Sequence, residues 1–268
     1  MLIAQITDMH VRAEGKLLYG RIDTPAYLAR AVAHLNALDP RPEVVLATGD
    51  LVDRGLPEEY AHLRKLLAPL EIPVHFIPGN HDARDPMRAA FPDHAYLPRT
   101  GFLQYAIEGL PVRLIALDTL VDGKPHGALC SERLDWLEAR LGEGDRPTVL
   151  FMHHPPFECG ISAFDNARLN EGGERLSELV RLHGNVERVL CGHVHRPIQV
   201  RWAGSMASIA PSTAHQATLD LHEGAPLSMM LEPPAMALHQ WRPGTGLITH
   251  ISYIGAFDGP QPFRTLPT

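Results

Sequence analysis

Between residues 1 and 191, short apolar runs alternate with helical patterns, and this alternation limits the fold more than any other feature of the chain. Runs over 2–6, 44–47, 74–77, 148–152 and 186–191 are rich in Val, Ile and Leu and read as buried strands. Stretches 24–38, 57–67, 85–91, 131–141 and 174–183 read as helices. Thr24–Pro25 puts an N-cap ahead of a proline at the first helical position, and Ser131 stands as N-cap before Leu134, Trp136, Leu137 and Leu141. Segments 104–107 and 112–117 read as strands paired across Glu108–Gly109–Leu110–Pro111. Later strands at 207–210, 235–241 and 247–253 have no helices between them, so βαβ units give way to β-rich sequence. The pattern predicts an α/β fold, two mixed β-sheets packed together with helices outside.

A length of 268 residues at 45% hydrophobic supports one large core. The expectation is a single domain: a core over about 1–215, a C-terminal β-rich or cap segment over about 216–258, and a partly ordered tail at 259–268. A formal net charge of -7 offers no basic groove for a nucleic-acid polymer. Cys130, Cys159 and Cys191 are too few and too widely spaced for a disulfide framework or a CxxC metal knot, which fits a reducing compartment. The first eight residues lack the basic region of a signal peptide, and no apolar run approaches the roughly 18 residues of a membrane span. The expected location is the cytoplasm, with no membrane partner.

The chemistry sits in the residues just beyond the strands. The first run leads into Asp8-x-His10, the second into Gly49-Asp50-x-x-Asp53, and the third into Gly79-Asn80-His81-Asp82. The run ending at Met152 leads into His153-His154-Pro155-Pro156, and the one ending at Cys191 into Gly192-His193-x-His195. Taken singly, each is compatible with an ordinary polar turn, because Pro, Gly, Asn and Asp are turn residues. Five loaded strand ends in one α/β chain point instead to a site at the carboxyl edges of the strands. The remaining histidines, among them His34, His62, His183 and His239, read as surface or satisfied core residues.

Asp, His and Asn supply oxygen and nitrogen ligands without thiolate, a donor set suited to two divalent transition metals such as Mn, Fe, Zn or Co. Two such ions about 3.5–4 Å apart require a bridge. Asp50 is the candidate, since its glycine neighbour permits close approach. The hypothesised sharing gives Asp8, His10, Asp50 and His195 to one ion, and Asp50, Asn80, His154 and His193 to the other. His154 is preferred to His153 because strand neighbours face opposite ways and only one of the pair can face the metals. Asp8 and Asp50 do not cancel two dications, and the excess positive charge attracts a phosphate ester to an acidic chain.

The ordered set Asp-x-His, Gly-Asp-x-x-Asp, Gly-Asn-His-Asp, His-His and Gly-His-x-His resembles the calcineurin-like metallophosphoesterases. Within them the chain is similar to bacterial class III cyclic-nucleotide phosphodiesterases and glycerophosphodiesterases, over roughly residues 1–215. The resemblance implies a four-layer αββα sandwich with a dinuclear centre in a groove at the strand ends. It also implies a phosphodiesterase acting on small diesters, with hydroxide generated at the ions attacking phosphorus in line with the leaving alkoxide. His81 then serves the ester instead of a metal, Asp82 and Asp53 support the ligands, and Tyr19 and His215 line the substrate pocket. Substrate choice is expected to lie in 92–104, 159–170 and 217–234, and self-association into a homo-oligomer is expected as well. Alternatives are a phosphomonoesterase or nucleotidase, a phosphonate monoester hydrolase, and a catalytically dead binding module of the same fold. A metallo-β-lactamase-like hydrolase is rejected, since His193–Val194–His195 continues into Arg196–Pro197 and not the Asp-His it needs.

Overall fold

The computed structural model describes residues 1–265. The first sheet is built on β1 (Leu2–Ile6), β2 (Val44–Thr48) and β3 (Val74–Ile77), joined by α1 (Thr24–Ala37) and α2 (Pro57–Leu67); α3 (Arg84–Ala90) follows. β4 (Tyr105–Ile107) and β5 (Arg113–Ala116) are an antiparallel pair, as the sequence pattern predicts. The chain continues through β6 (Gly127–Ala128), α4 (Ser131–Leu141), β7 (Thr148–Phe151), α5 (Ser162–Asp165), β8 (Leu169–Glu171), α6 (Gly173–His183) and β9 (Val186–Cys191). Its last strands are β10 (Ile198–Trp202), β11 (Ser205–Ile209), β12 (Gln216–Ala217), β13 (Met229–Met230), β14 (Ala235–Arg242) and β15 (Gly246–Tyr253). A short 3₁₀ turn at Phe263–Thr265 ends the described chain, and the rest of the predicted tail lies outside the described residues.

Two mixed sheets result, ordered β15-β14-β1-β2-β3 and β10-β11-β9-β7-β5-β4. Strands β1, β2 and β3 run parallel, as do β5, β7, β9 and β11. Alternation along the second sheet sorts its side chains into two cores. Leu114, Ala116, Val149, Phe151 and Leu190 pack toward the first sheet. Ile115, Leu117, Leu150, Met152, Val189 and Cys191 pack with Leu134, Leu137 and Leu141 of α4 and Leu176, Leu179 and Val180 of α6. The first sheet is covered on its far side by α1, whose Leu28, Ala31, Val32 and Leu35 form an i, i+3, i+4, i+7 stripe, and by α2 and α3. The layers are therefore αββα.

Several boundaries depart from the sequence reading for identifiable reasons. α1 is capped by Asp23, whose Oδ1 accepts from Ala26 N–H, while the Thr24 hydroxyl donates to the carbonyl of His10 at 2.8 Å. The N-cap of α4 is Cys130 and Ser131 is already helical. The C-terminal β-rich segment splits in two. β14 and β15 extend the first sheet antiparallel to β1, whereas the ribbon β12–β13 stands apart over the strand ends. Strand β10 is absent from the sequence reading, because its alternating burial, Ile198 and Val200 in and Gln199 and Arg201 out, is that of an edge strand with little apolar continuity.

Candidate metal centre

Strands β1, β2, β3, β7 and β9 all deliver their following residues to one rim of the sandwich. Asp8, His10, Asp50, His153, His154, His193 and His195 are buried there. Five of them, Asp8, His10, Asp50, His193 and His195, have φ between 43° and 73°. Non-glycine residues rarely occupy this left-handed region and cluster at functional sites when they do. Each bends the chain just after a strand, which turns its side chain back over the sheet edge.

One group comprises Asp8, His10, Asp50 and His195, with ligand atoms all within 4.8 Å of one another. His10 Nε2 is 3.1 Å from His195 Nε2 and 3.6 Å from Asp50 Oδ2, and His195 Nε2 is 3.4 Å from Asp8 Oδ1. A second group converges on Asn80, whose Oδ1 is 3.0 Å from His193 Nδ1 and 3.2 Å from His153 Nε2. His153 Nε2 is also 3.4 Å from Asp50 Oδ2, so Asp50 lies between the two groups. Donors about 2.0–2.2 Å from a common cation sit roughly 3.0–3.6 Å from each other, and these separations match. His153, His154 and His193 form a further group with ligand atoms within 4.8 Å of one another, so both histidines of the pair lie at the centre, but they are held differently. The Nδ1 of His154 is bonded to the Thr119 hydroxyl at 2.8 Å, and Asp50 and Asn80 both face His153. Alternation did leave one histidine for the metal side; Phe151 packs between the sheets, so the residue two further on shares that side.

The surroundings fix which nitrogen of each ring faces inward. His153 Nδ1 lies 2.8 Å from the Thr48 carbonyl and His195 Nδ1 lies 3.0 Å from the His215 carbonyl, so both donate there and turn Nε2 to the centre. His10 Nδ1 is 3.8 Å from the Asp53 carboxylate, which is itself ion-paired with Arg12. The Asp8 carboxylate accepts from the His193 backbone N–H at 3.0 Å, and the Asp50 carboxylate from that of His81 at 2.9 Å. Asp82 ties two ligand loops together: its carboxylate accepts from the N–H groups of Leu51, Val52 and Gly79 and from the Tyr60 hydroxyl. It thus closes the Gly79–Asp82 turn and also holds the loop that carries Asp50.

Electrostatics mark the cluster as short of positive charge. Burial, then the Asp50 charge, raises the Asp8 carboxyl to about 6 although His153 opposes it. Burial works against charge on His153, but Asp50 and Asp8 outweigh it and push the ring to about 9. Burial also opposes ionisation of Asp50, and His153 and His81 more than offset it, holding that carboxyl well below its usual range. Burial, with His10 alongside, depresses His195 to about 3, leaving the neutral ring that metal ligation requires. Buried His193 Nε2 and His154 Nε2 have no hydrogen-bond partner. Carboxylates, imidazoles and an amide oxygen converging in this way fit a pair of divalent cations.

A cavity of about 510 Å³ opens over these groups and is lined by His10, Asp50, Asn80, His81, His193 and His195 on one side. Tyr19 and His215 also line it, with their rings edge-on at 6.1 Å. His81 Nδ1 lies 2.8 Å from the Asp53 carbonyl, which leaves Nε2 as the free nitrogen of a side chain 36% exposed. Ala163, Phe164, Asn166 and Ala167, with Leu227, Ser228 and Met229, contribute lining, as expected of the segments between the motifs. Segment 92–104 contributes none. It packs on the open edge of β3, where the Tyr96 hydroxyl accepts from Phe76 N–H and donates to the Val74 carbonyl.

An αββα sandwich with a His/Asp cluster for two cations at its strand ends describes a class of metal-dependent hydrolases. A family model for calcineurin-like phosphoesterases matches residues 1–197, and the chain belongs to this family. It is 39% identical over 264 residues to a probable glycerophosphodiester phosphodiesterase GpdQ from Arcobacter nitrofigilis, covering 98% of this chain and 97% of that one. It is 32% identical over 219 residues to the 3',5'-cyclic adenosine monophosphate phosphodiesterase CpdA of Escherichia coli, covering 80% and 76%. A dimetal phosphatase from Danio rerio shares the fold, with a TM-score of 0.62 over 95% of this chain and 99% of that chain at 14% identity.

Proposed function

We propose that this chain is a dinuclear metal-dependent phosphodiesterase hydrolysing small phosphodiesters, either glycerophosphodiesters or 3',5'-cyclic nucleotides. The observation that carries the reading is Asp50, whose Oδ2 lies 3.6 Å from His10 and 3.4 Å from His153 and so belongs to both ligand groups. Asp8, His10, Asp50 and His195 would hold one divalent transition metal, Mn, Fe, Zn or Co. Asp50, Asn80, His153 and His193 would hold the other, with His153 in place of the His154 expected from sequence. When bound, such ions neutralise phosphoryl charge and acidify water.

The chain's own residues do the rest. Asn80 is a neutral ligand and leaves the ions' charge uncancelled. His81, held by its backbone N–H on Asp50 and by Nδ1 on the Asp53 carbonyl, presents Nε2 to a phosphoryl or leaving-group oxygen. Tyr19 and His215 border the same cavity, His215 with its ring 4.6 Å from that of His195. Among the described residues no helix is long and apolar enough to cross a membrane. A cytoplasmic, reducing location is supported by three unpaired cysteines. Self-association is supported by exposed Leu219, Leu221 and Leu231 around the β12–β13 ribbon; light scattering that returns a monomer would refute it.

The test is metal analysis together with hydrolysis of bis(p-nitrophenyl) phosphate. Two transition metals per chain and turnover of the diester are expected. Two metals with no turnover of any phosphate ester would make the chain a binding module. Turnover confined to phosphomonoesters or phosphonate monoesters would move the reading to those hydrolases.

A further inference from the structure

The cavity over the metal centre has a polar floor and an apolar wall. The wall consists of Pro125, Phe164, Ala167, Leu227 and Met229. Its polar members, Asn166 and Ser228, are uncharged, and no Lys or Arg lines the cavity among the described residues. Among the described residues Asp50 is the only carboxylate on the lining, and it belongs to the floor. Charge recognition is thus confined to the metal side, and everything that meets the rest of a substrate is neutral.

The two halves of the wall come from different parts of the chain and are tied together. Phe164 and Ala167 lie on and just after α5, and Leu227 and Met229 on and before β13. Gly224 N–H donates to the Ser162 hydroxyl at 3.2 Å, joining the ribbon loop to α5. Arg196, the residue after the ligand His195, donates to the Ala217 carbonyl and to Glu232 Oε2 at 2.7 Å, pinning both ends of the ribbon. Phe164 also meets the ligand His193 edge-on at 5.4 Å. The wall is therefore anchored to the metal centre at a fixed distance and is not a free flap.

We infer that Phe164, Leu227 and Met229 form the subsite for the alcohol arm of the diester and select arms that are uncharged with an apolar face. A phosphodiester carries one negative charge, which the floor meets. An arm bearing a second phosphate brings charge that this wall cannot match and must desolvate, and inorganic phosphate offers the wall no arm to bury. The inference rests on the phosphodiesterase reading and sharpens it, placing discrimination in residues that touch no metal.

Calorimetric titration of the metal-loaded protein with diphenylphosphinate, a singly charged diester mimic with no ester bond to cleave, and with inorganic phosphate reads the wall without turnover. The triple variant Phe164→Ala, Leu227→Ala, Met229→Ala should weaken diphenylphosphinate about tenfold or more, one aromatic arm's worth of lost burial, and leave inorganic phosphate unchanged. In a second variant, Met229→Lys, inorganic phosphate should tighten about tenfold, and kcat/KM should shift toward p-nitrophenyl phosphate relative to bis(p-nitrophenyl) phosphate. Unchanged diphenylphosphinate affinity in the triple variant would overturn the inference, as would parallel loss of both ligands. Loss of turnover with the binding pattern intact would count against the phosphodiesterase reading alone.

Discussion

Gly79 is where backbone, bridge and ligand are packed most tightly, and replacing it with Ala makes a sharp test of the geometry. A Cβ there would stand 2.2 Å from Asp50 Oδ1, 2.4 Å from Asp50 N and 2.8 Å from His153 Cε1. Ordinary Cβ contacts begin at 3.4 Å, so about 1 Å must be found against a backbone nitrogen. Asp50 Oδ1 cannot swing away freely, because it accepts from the His81 N–H, and the Gly79 N–H is itself held by Asp82 at 2.8 Å. The conflict therefore spreads to the bridge, the second metal's imidazole and the His81 loop together. A displacement of about 1 Å in a positioned site costs on the order of 10²-fold in rate, and overpacking costs roughly 1–3 kcal/mol of stability. The expected result is a folded protein with a lowered melting temperature, fewer than two metals per chain and at least a hundredfold lower kcat on bis(p-nitrophenyl) phosphate. Gly101→Ala is the control, since nothing lies within 4 Å of that Cβ; its positive φ costs about 1 kcal/mol but leaves the site untouched. Two metals and wild-type turnover in the Gly79→Ala protein would refute the proposed convergence of Asp50, Asn80 and His153.

Three further predictions use other parts of the structure. His153→Ala should lose one metal per chain by elemental analysis, whereas His154→Ala should keep two; the reverse pattern would restore the sequence-based choice. His81→Ala should keep both metals and lower kcat by roughly 10²–10⁴, the scale of acid–base assistance, and an unchanged rate would remove His81 from the reaction. His239 is buried between Gln5 and Thr249, and burial, with Arg188 nearby, depresses it to about 3. The unfolded chain then takes up a proton below about pH 6.5 that the native ring refuses, so stability is fully present above that pH. It falls by up to about 1.4 kcal/mol per pH unit below it, levelling off near the folded value. Urea unfolding should show a shallower loss between pH 6.5 and 5 for His239→Gln than for wild type, and identical slopes would refute the assignment.

Much of this site was legible because local sequence encodes it. A parallel strand buried on both faces needs a continuous apolar run, and the residues after it must turn, so Asp8, Asp50, Asn80 and His193 stood out as polar groups at fixed offsets from those runs. The left-handed backbone of the ligands was not legible, since Asp and His tolerate that region without announcing it. The supporting role expected of Asp82 was legible only in outline, since its donors at Leu51, Val52 and Tyr60 are remote in sequence.

The sequence alone determined the order of the buried strands, the long helices between them and the donor types at the strand ends, because periodicity and residue chemistry are local properties. Tertiary structure alone decided which member of the His153–His154 pair faces Asp50 and Asn80, because alternation separates the two rings but does not say which face of β7 meets the first sheet until Phe151 is seen to pack there. It also decided that β14 and β15 complete the first sheet. Pairing partners for β1 are set by packing of whole faces, and many strands could have offered the same hydrogen bonds. The neutral wall of the cavity belongs to the same category, since Phe164 and Met229 are ordinary apolar residues until the fold brings α5 and the β12–β13 ribbon together over the metals.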